Sequence, residues 1–191
     1  MDEPNLWGVS AQNYMMRRRD WRLKHRIRWT LGLRAPRFSP LVPIPDHIHA
    51  VDLRRHVGAS AFDAAYRFSI ERNPWDRQVS NYFWQTRDLA PADKPAFETW
   101  LHSGAPEVRV DNWQIYSIAD RIVVHRVLRY EHLEEDLADL ARDRGLALPA
   151  LPRAKGHLRP AGSYRAYYTP ATRDLVASWY QNEVEAFGYT F

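Results

Sequence analysis

The stretch Tyr66-Arg67-Phe68-Ser69-Ile70-Glu71-Arg72-Asn73-Pro74-Trp75-Asp76-Arg77-Gln78-Val79-Ser80-Asn81-Tyr82-Phe83-Trp84 decides how this chain is read. Up to Glu71, aromatic or aliphatic residues alternate with polar ones, the period-two pattern of a half-buried strand. At Asn73-Pro74 the pattern changes. Asn is a good helix N-cap, and Pro is tolerated at the first helical position, where its missing N–H would have no helical partner. Beyond Pro74, the apolar residues Trp75, Val79, Tyr82 and Phe83 recur at helical spacing, while Asn73, Arg77, Ser80 and Trp84 fall on the opposite face. The pattern predicts a strand, a short turn and a helix. Arg72 then stands at the strand end and Ser80 two turns into the helix. A guanidinium is a rigid, permanently charged fork that matches a phosphate, and a serine hydroxyl adds a neutral donor to the same group. The plain alternative is an Arg that pairs with Asp76 and a Ser with no special partner.

Working outward, 191 residues suit one domain with a sizeable core. The net charge of +4 and a pI near 9.5 favour anionic partners such as nucleotides, phosphates or acidic glycans. Charge alone does not separate these from nucleic acid. The absence of cysteine excludes disulfides, thiol chemistry and Cys-based zinc sites, which suits a reducing cytoplasm. The start, Met1-Asp2-Glu3-Pro4-Asn5, does not read as a signal peptide. No apolar run approaches the roughly 20 residues that span a bilayer.

Residues 1–46 read as a basic helix over about 10–31 followed by a loop carrying Pro36, Pro40, Pro43 and Pro45. The basic segment 17–28 is either a surface for nucleic acid or acidic glycan, or an exposed helix with snorkelling Arg side chains. The chain then reaches His47-Ile48-His49. Alternate residues of an extended segment point the same way, so both imidazoles can share a face, and imidazole is suited to take a proton from a hydroxyl near neutral pH. The alternatives are a pair of hydrogen-bonded histidines or a metal site, for which no third ligand lies at a convincing spacing. Further along, the sequence predicts short helices at 52–57 and 97–101, a second core strand over 122–130, a helix from about 131 to Gly145, and a last helix from Pro170 to Gly188. Trp113, Tyr116 and Arg109 have side chains suited to sugar, with core packing the plainer reading of the two aromatics. Arg153-Ala154-Lys155-Gly156-His157 offers cations beside a glycine, where a phosphate can approach, or else a solvated linker.

Arg72-Asn73-Pro74-Trp75-Asp76-Arg77 with Ser80 resembles the 3′-phosphate-binding motif of sulfotransferases, closest to the carbohydrate-type branch called sulfotransferase family 2. The resemblance extends over residues 47–191 through His49, the segment 129–136 and the Phe187-Gly188-Tyr189 close. It implies an α/β domain similar to the P-loop NTPase-like sulfotransferase fold, with a mainly parallel sheet flanked by helices. It implies transfer of a sulfuryl group from 3′-phosphoadenosine 5′-phosphosulfate (PAPS) to a hydroxyl, that of a carbohydrate acceptor by the branch it resembles, without a metal and without a nucleic-acid partner. By the same resemblance His49, with His47 in support, is the catalytic base. Arg72 and Ser80 hold the 3′-phosphate, and Lys155 belongs to a basic loop that closes over the nucleotide.

One expected part is missing. Sulfotransferases begin with a strand, a Pro-Lys-Thr-Gly-Gly-Thr-Ser-like loop that cradles the 5′-phosphosulfate, and a helix. No segment before Tyr66 combines a strand, clustered Gly or Thr, and a Lys. Two accounts follow: an active enzyme truncated at the N-terminus, so that the first strand and P-loop are missing, or an inactive relative that binds a nucleotide or glycan.

Overall fold

A computed structural model of the chain describes residues 47–147 and 159–191. The helix expected at 10–31, the proline-rich loop and Lys155 lie outside the described residues. The structure is mixed α/β, with a small parallel sheet and helices. It divides into two compact units, whose described parts are residues 47–69 with 112–126, and residues 70–111 with 127–147 and 159–191.

The first unit opens with helix α1, Ala50–Val57, and helix α2, Ala59–Ala64. Gly58 separates them at φ +89°, a conformation that L side chains rarely adopt. A single-turn helix at Trp113–Tyr116 leads into a two-stranded antiparallel ribbon, Ser117–Ile118 with Arg121–Ile122. Ser117 faces Ile122 and Ile118 faces Arg121. The connecting residues Ala119 and Asp120 both have positive φ, as a two-residue hairpin turn requires. The expectation of one continuous strand over 122–130 is corrected at residues 123–125, where the Val123 N–H turns to the Tyr116 carbonyl and the His125 N–H to the Arg67 carbonyl. The apolar run is interrupted after Ile122, and the strand resumes only at Arg126–Arg129.

Arg67 ties the first unit together. Its Nε donates to the Val123 carbonyl at 2.9 Å, and Nη1 donates to the carbonyls of Phe62 and Ala65. Its guanidinium lies 4.3 Å from the Phe62 ring centroid. Its backbone N–H donates to His125 Nδ1, and the His125 N–H donates back to the Arg67 carbonyl. Tyr66 stacks on the same imidazole at 4.9 Å.

Strand β1, Phe68–Glu71, pairs with Arg126–Arg129 in a two-stranded sheet. Its burial reverses the expectation from the alternation. Phe68 and Ile70 are exposed, whereas Glu71 is 1% exposed. The inward side of the strand end is taken by a carboxylate because a buried cation, Arg77, waits for it.

The predicted helix follows as α3, Pro74–Gln85, in the second unit. Trp75, Val79 and Tyr82 point into a core shared with Phe97, Trp100 and Leu101 of the short helix Phe97–Leu101, and with Val176 and Tyr180. Edge-on aromatic contacts knit it, Tyr82 meeting both Phe97 and Trp100 at 5.5 Å, a favoured geometry for rings. The expected helix after 130 runs over Leu133–Arg144, with Gly145 as its left-handed C-cap. The single last helix expected from Pro170 to Gly188 is instead two, Pro170–Trp179 and Gln181–Phe187. They break at Tyr180 (φ −121°, ψ 35°), whose buried hydroxyl accepts the Val110 N–H and donates to Gln78 Oε1. Among the described residues, no helix is long and apolar enough to cross a membrane.

Candidate functional site

The entry to helix α3 is built by Asn73. Its Oδ1 accepts the N–H groups of Trp75 and Asp76, and its Nδ2 donates to the Thr190 carbonyl and the Tyr164 hydroxyl. Carboxylates take the amides just before it. The Arg72 N–H donates to Glu71 Oε1 at 2.9 Å, and the Asn73 N–H donates to Glu131 Oε1 at 2.7 Å. The four amides of the turn are therefore spent on the protein itself. Any anion recognised here meets side chains rather than an amide nest.

Those side chains centre on Asp76. Its Oδ2 accepts Arg72 Nε at 2.6 Å and lies 2.6 Å from Arg72 Nη2 in the same ion pair, and its Oδ1 accepts Arg159 Nη1. The Arg72–Asp76 pair anticipated as the plain alternative does form, and Arg159 joins it from a distant part of the chain. The three side chains are 21%, 16% and 20% exposed, so the cluster is shielded but open to solvent. It carries one net positive charge. The Arg72 guanidinium lies 4.3 Å from the centroid of the exposed Tyr130 ring, and Arg159 Nη2 donates to the Gly162 carbonyl. Ser80 is partly buried in α3, and its hydroxyl has no hydrogen-bond partner among the described residues. Arg72 and Ser80 thus share a unit without touching each other by a hydrogen bond.

Behind this cluster lies a buried ion network. Arg77, expected on the polar face of α3, is 8% exposed, because Nη1 pairs with Glu71 and Nη2 with Glu183 at 3.5 Å. Its guanidinium also packs 4.4 Å from the Tyr180 ring centroid. Burial pushes the Glu183 carboxyl above the ordinary glutamate range, with Arg77 opposing the shift. Burial likewise raises the Tyr168 hydroxyl, and the charge of Asp76 adds to that rise. The Tyr168 hydroxyl donates to the Trp75 carbonyl at 2.8 Å.

His47 and His49 belong to the first unit. His47 sits in a turn at φ +54° and is exposed. The segment is not a strand there, so the period-two argument for a shared face does not apply. His49 is the N-cap residue of α1: its carbonyl accepts the Asp52 and Leu53 N–H groups, while its side chain makes no cap bond. Trp113 and Tyr116, 8% and 0% exposed, are core residues, and Arg109 donates to the Trp179 carbonyl. Among the described residues, no group of three or more His, Cys, Asp or Glu could hold a metal ion.

The sequence reading missed Arg159 and Tyr130. Arg159 follows the basic segment 153–157 closely, and that clustering of cations was the one available signal. Nothing marked Tyr130 except its position next to the strand end at Arg129.

No protein-family model and no solved structure matches the chain. An archaeal protein of Archaeoglobus fulgidus, named "Uncharacterized protein", is 30% identical over 105 residues, an overlap of 49% of this chain and 79% of that protein. The chain belongs to the same family as this archaeal protein, whose name states no activity.

Proposed function

We propose that the second unit binds the 3′-phosphate of a phosphoadenosine nucleotide, and that the protein is a PAPS-dependent sulfotransferase of the P-loop NTPase-like fold acting on a carbohydrate hydroxyl. The observation that carries the reading is the pair of guanidiniums, Arg72 and Arg159, gathered on Asp76 at the strand-to-helix turn; the Ser80 hydroxyl, two turns along the same helix, has no hydrogen-bond partner among the described residues. Two guanidiniums sharing one carboxylate keep a positive charge and spare N–H groups, the requirement of a phosphate dianion. Tyr130 offers an exposed ring next to Arg72. Lys155 adds a third cation by the resemblance.

The fit covers one end of the nucleotide. Arg72, Arg159 and Ser80 suit a 3′-phosphate. Among the described residues nothing supplies the glycine-rich amide cradle for the 5′ end, and the amides of the α3 turn are already bonded. In the reaction, the acceptor oxygen forms a bond to sulfur and the sulfur–oxygen bond to the nucleotide breaks. The hydroxyl proton passes to His49, and the bisphosphate nucleotide leaves. The role of His49, with His47 beside it in sequence, rests on the resemblance.

Calorimetric titration with 3′-phosphoadenosine 5′-phosphate, beside an Arg72→Ala variant, tests the reading. Micromolar binding that the variant loses supports it. Heat that is absent in both proteins, or equal in both, overturns it in favour of a relative without the nucleotide site. Binding of a glycan or nucleic acid that survives Arg72→Ala and weakens steeply with salt is the outcome of a basic binding module instead.

A further inference from the structure

We infer that Asp76 is a positioning residue that holds Arg72 and Arg159 together as one phosphate receptor. The inference rests on the phosphate reading above and goes one step past it. Arg159 lies 83 residues beyond Asp76 in sequence, and its guanidinium and that of Arg72 repel each other unless something anionic stands between them. Asp76 is that group. One oxygen accepts Arg72 Nε and pairs with Nη2, and the other accepts Arg159 Nη1.

The carboxylate sits in the first turn of α3, where its own N–H is bonded to Asn73 Oδ1. It is therefore held by a helix that the core anchors through Trp75 and Val79. Engaging Arg72 through Nε and Nη2 leaves Nη1 without a partner among the described residues. Engaging Arg159 through Nη1 leaves its Nε likewise. Asp76 fixes one edge of each fork and leaves donors on the rest for a ligand. Side chains locked in this way lose less freedom when an anion arrives.

A competing role predicts the opposite sign. If Asp76 only occupied the arginines and repelled incoming phosphate, deleting it would tighten anion binding. If it positions them, deleting it weakens binding even though a negative charge has been removed from an anion site.

The test measures the affinity of 3′-phosphoadenosine 5′-phosphate and of adenosine 5′-phosphate for the full chain and for Asp76→Ala, Asp76→Asn and Asp76→Glu, with thermal unfolding of each. The expected result is a preference of the unsubstituted chain for the 3′-phosphorylated nucleotide. Asp76→Ala loses that preference by about tenfold, with adenosine 5′-phosphate binding unchanged. Asp76→Asn, which keeps the shape and thus guards against a folding defect, falls in the same direction, and Asp76→Glu recovers part of the loss. A general structural defect would lower both nucleotides together and overturns the inference. Equal or tighter binding of the 3′-phosphorylated nucleotide by Asp76→Ala overturns the inference alone. No preference in the unsubstituted chain overturns the phosphate reading and the inference with it.

Discussion

Arg77 and Glu71 form an ion pair inside the second unit, with side chains 9% and 0% exposed. The pair joins the last residue of strand β1 to the middle of the first turns of α3. Glu71 Oε1 also accepts the Arg72 N–H, so the buried pair helps set the backbone from which Arg72 projects. Glu183 reaches the same guanidinium from the helix Gln181–Phe187.

Replacing Arg77 with Met leaves two buried carboxylates without their cation. Breaking a buried ion pair from one side costs about 3–5 kcal/mol, since an uncompensated charge remains. Chemical denaturation of Arg77→Met is expected to show a loss of that size. A loss under about 1 kcal/mol, the scale of a surface pair, contradicts the buried network.

The network also sets a pH dependence. Burial raises the Glu183 carboxyl in the folded chain, so the folded state holds that proton more tightly than the unfolded one. The resulting stabilisation is fully present below the ordinary glutamate range and is lost as pH rises through the raised value of Glu183. Glu183→Gln removes the ionisation. Its unfolding free energy is expected to fall less steeply with rising pH over this interval than that of the unsubstituted chain. Parallel pH profiles for the two proteins argue against the shift.

Asn73 closes the turn with both ends of its amide, capping α3 and holding the Thr190 carbonyl. Asn73→Ala is expected to cost about 1–2 kcal/mol, the upper part of the range for a lost N-cap. Asn73→Asp keeps the cap and loses the donor, so it recovers only part of the difference in thermal unfolding.

Under the proposed function, His49 separates chemistry from stability. Its side chain makes no cap bond, so His49→Ala is expected to change unfolding free energy by less than about 0.5 kcal/mol. Loss of a general base lowers a transfer rate by about 100-fold or more. Sulfuryl transfer assayed on a competent acceptor therefore drops while melting stays put. An unchanged rate removes His49 from the mechanism.

Much of the turn was legible from local rules. Asn73-Pro74 announced the helix start because capping chemistry is local, and Gly145 and Gly188 marked helix ends at positive φ for the same reason. The apolar stripe of Trp75, Val79 and Tyr82 was legible from its period. What failed depended on partners far along the chain. Arg77 looked like a surface cation until Glu71 and Glu183 met it. The alternation at Phe68 and Ile70 pointed to a buried apolar face, but the burial went to Glu71. Tyr180 interrupts a helical pattern that contains no glycine or proline, because its hydroxyl is held by Val110 and Gln78. At the candidate site, Arg72 and Ser80 stood out only through the resemblance of the whole motif Arg72–Arg77 with Ser80. Arg159 did not, since nothing local ties it to Asp76.

The measurement that tests the central claim most directly is phosphorus NMR of 3′-phosphoadenosine 5′-phosphate titrated with the chain and with Arg72→Ala. The account predicts that the 3′-phosphate resonance shifts and broadens with the unsubstituted protein and stays near its free position with the variant. A 3′-phosphate resonance that moves with neither protein, or moves alike with both, contradicts it.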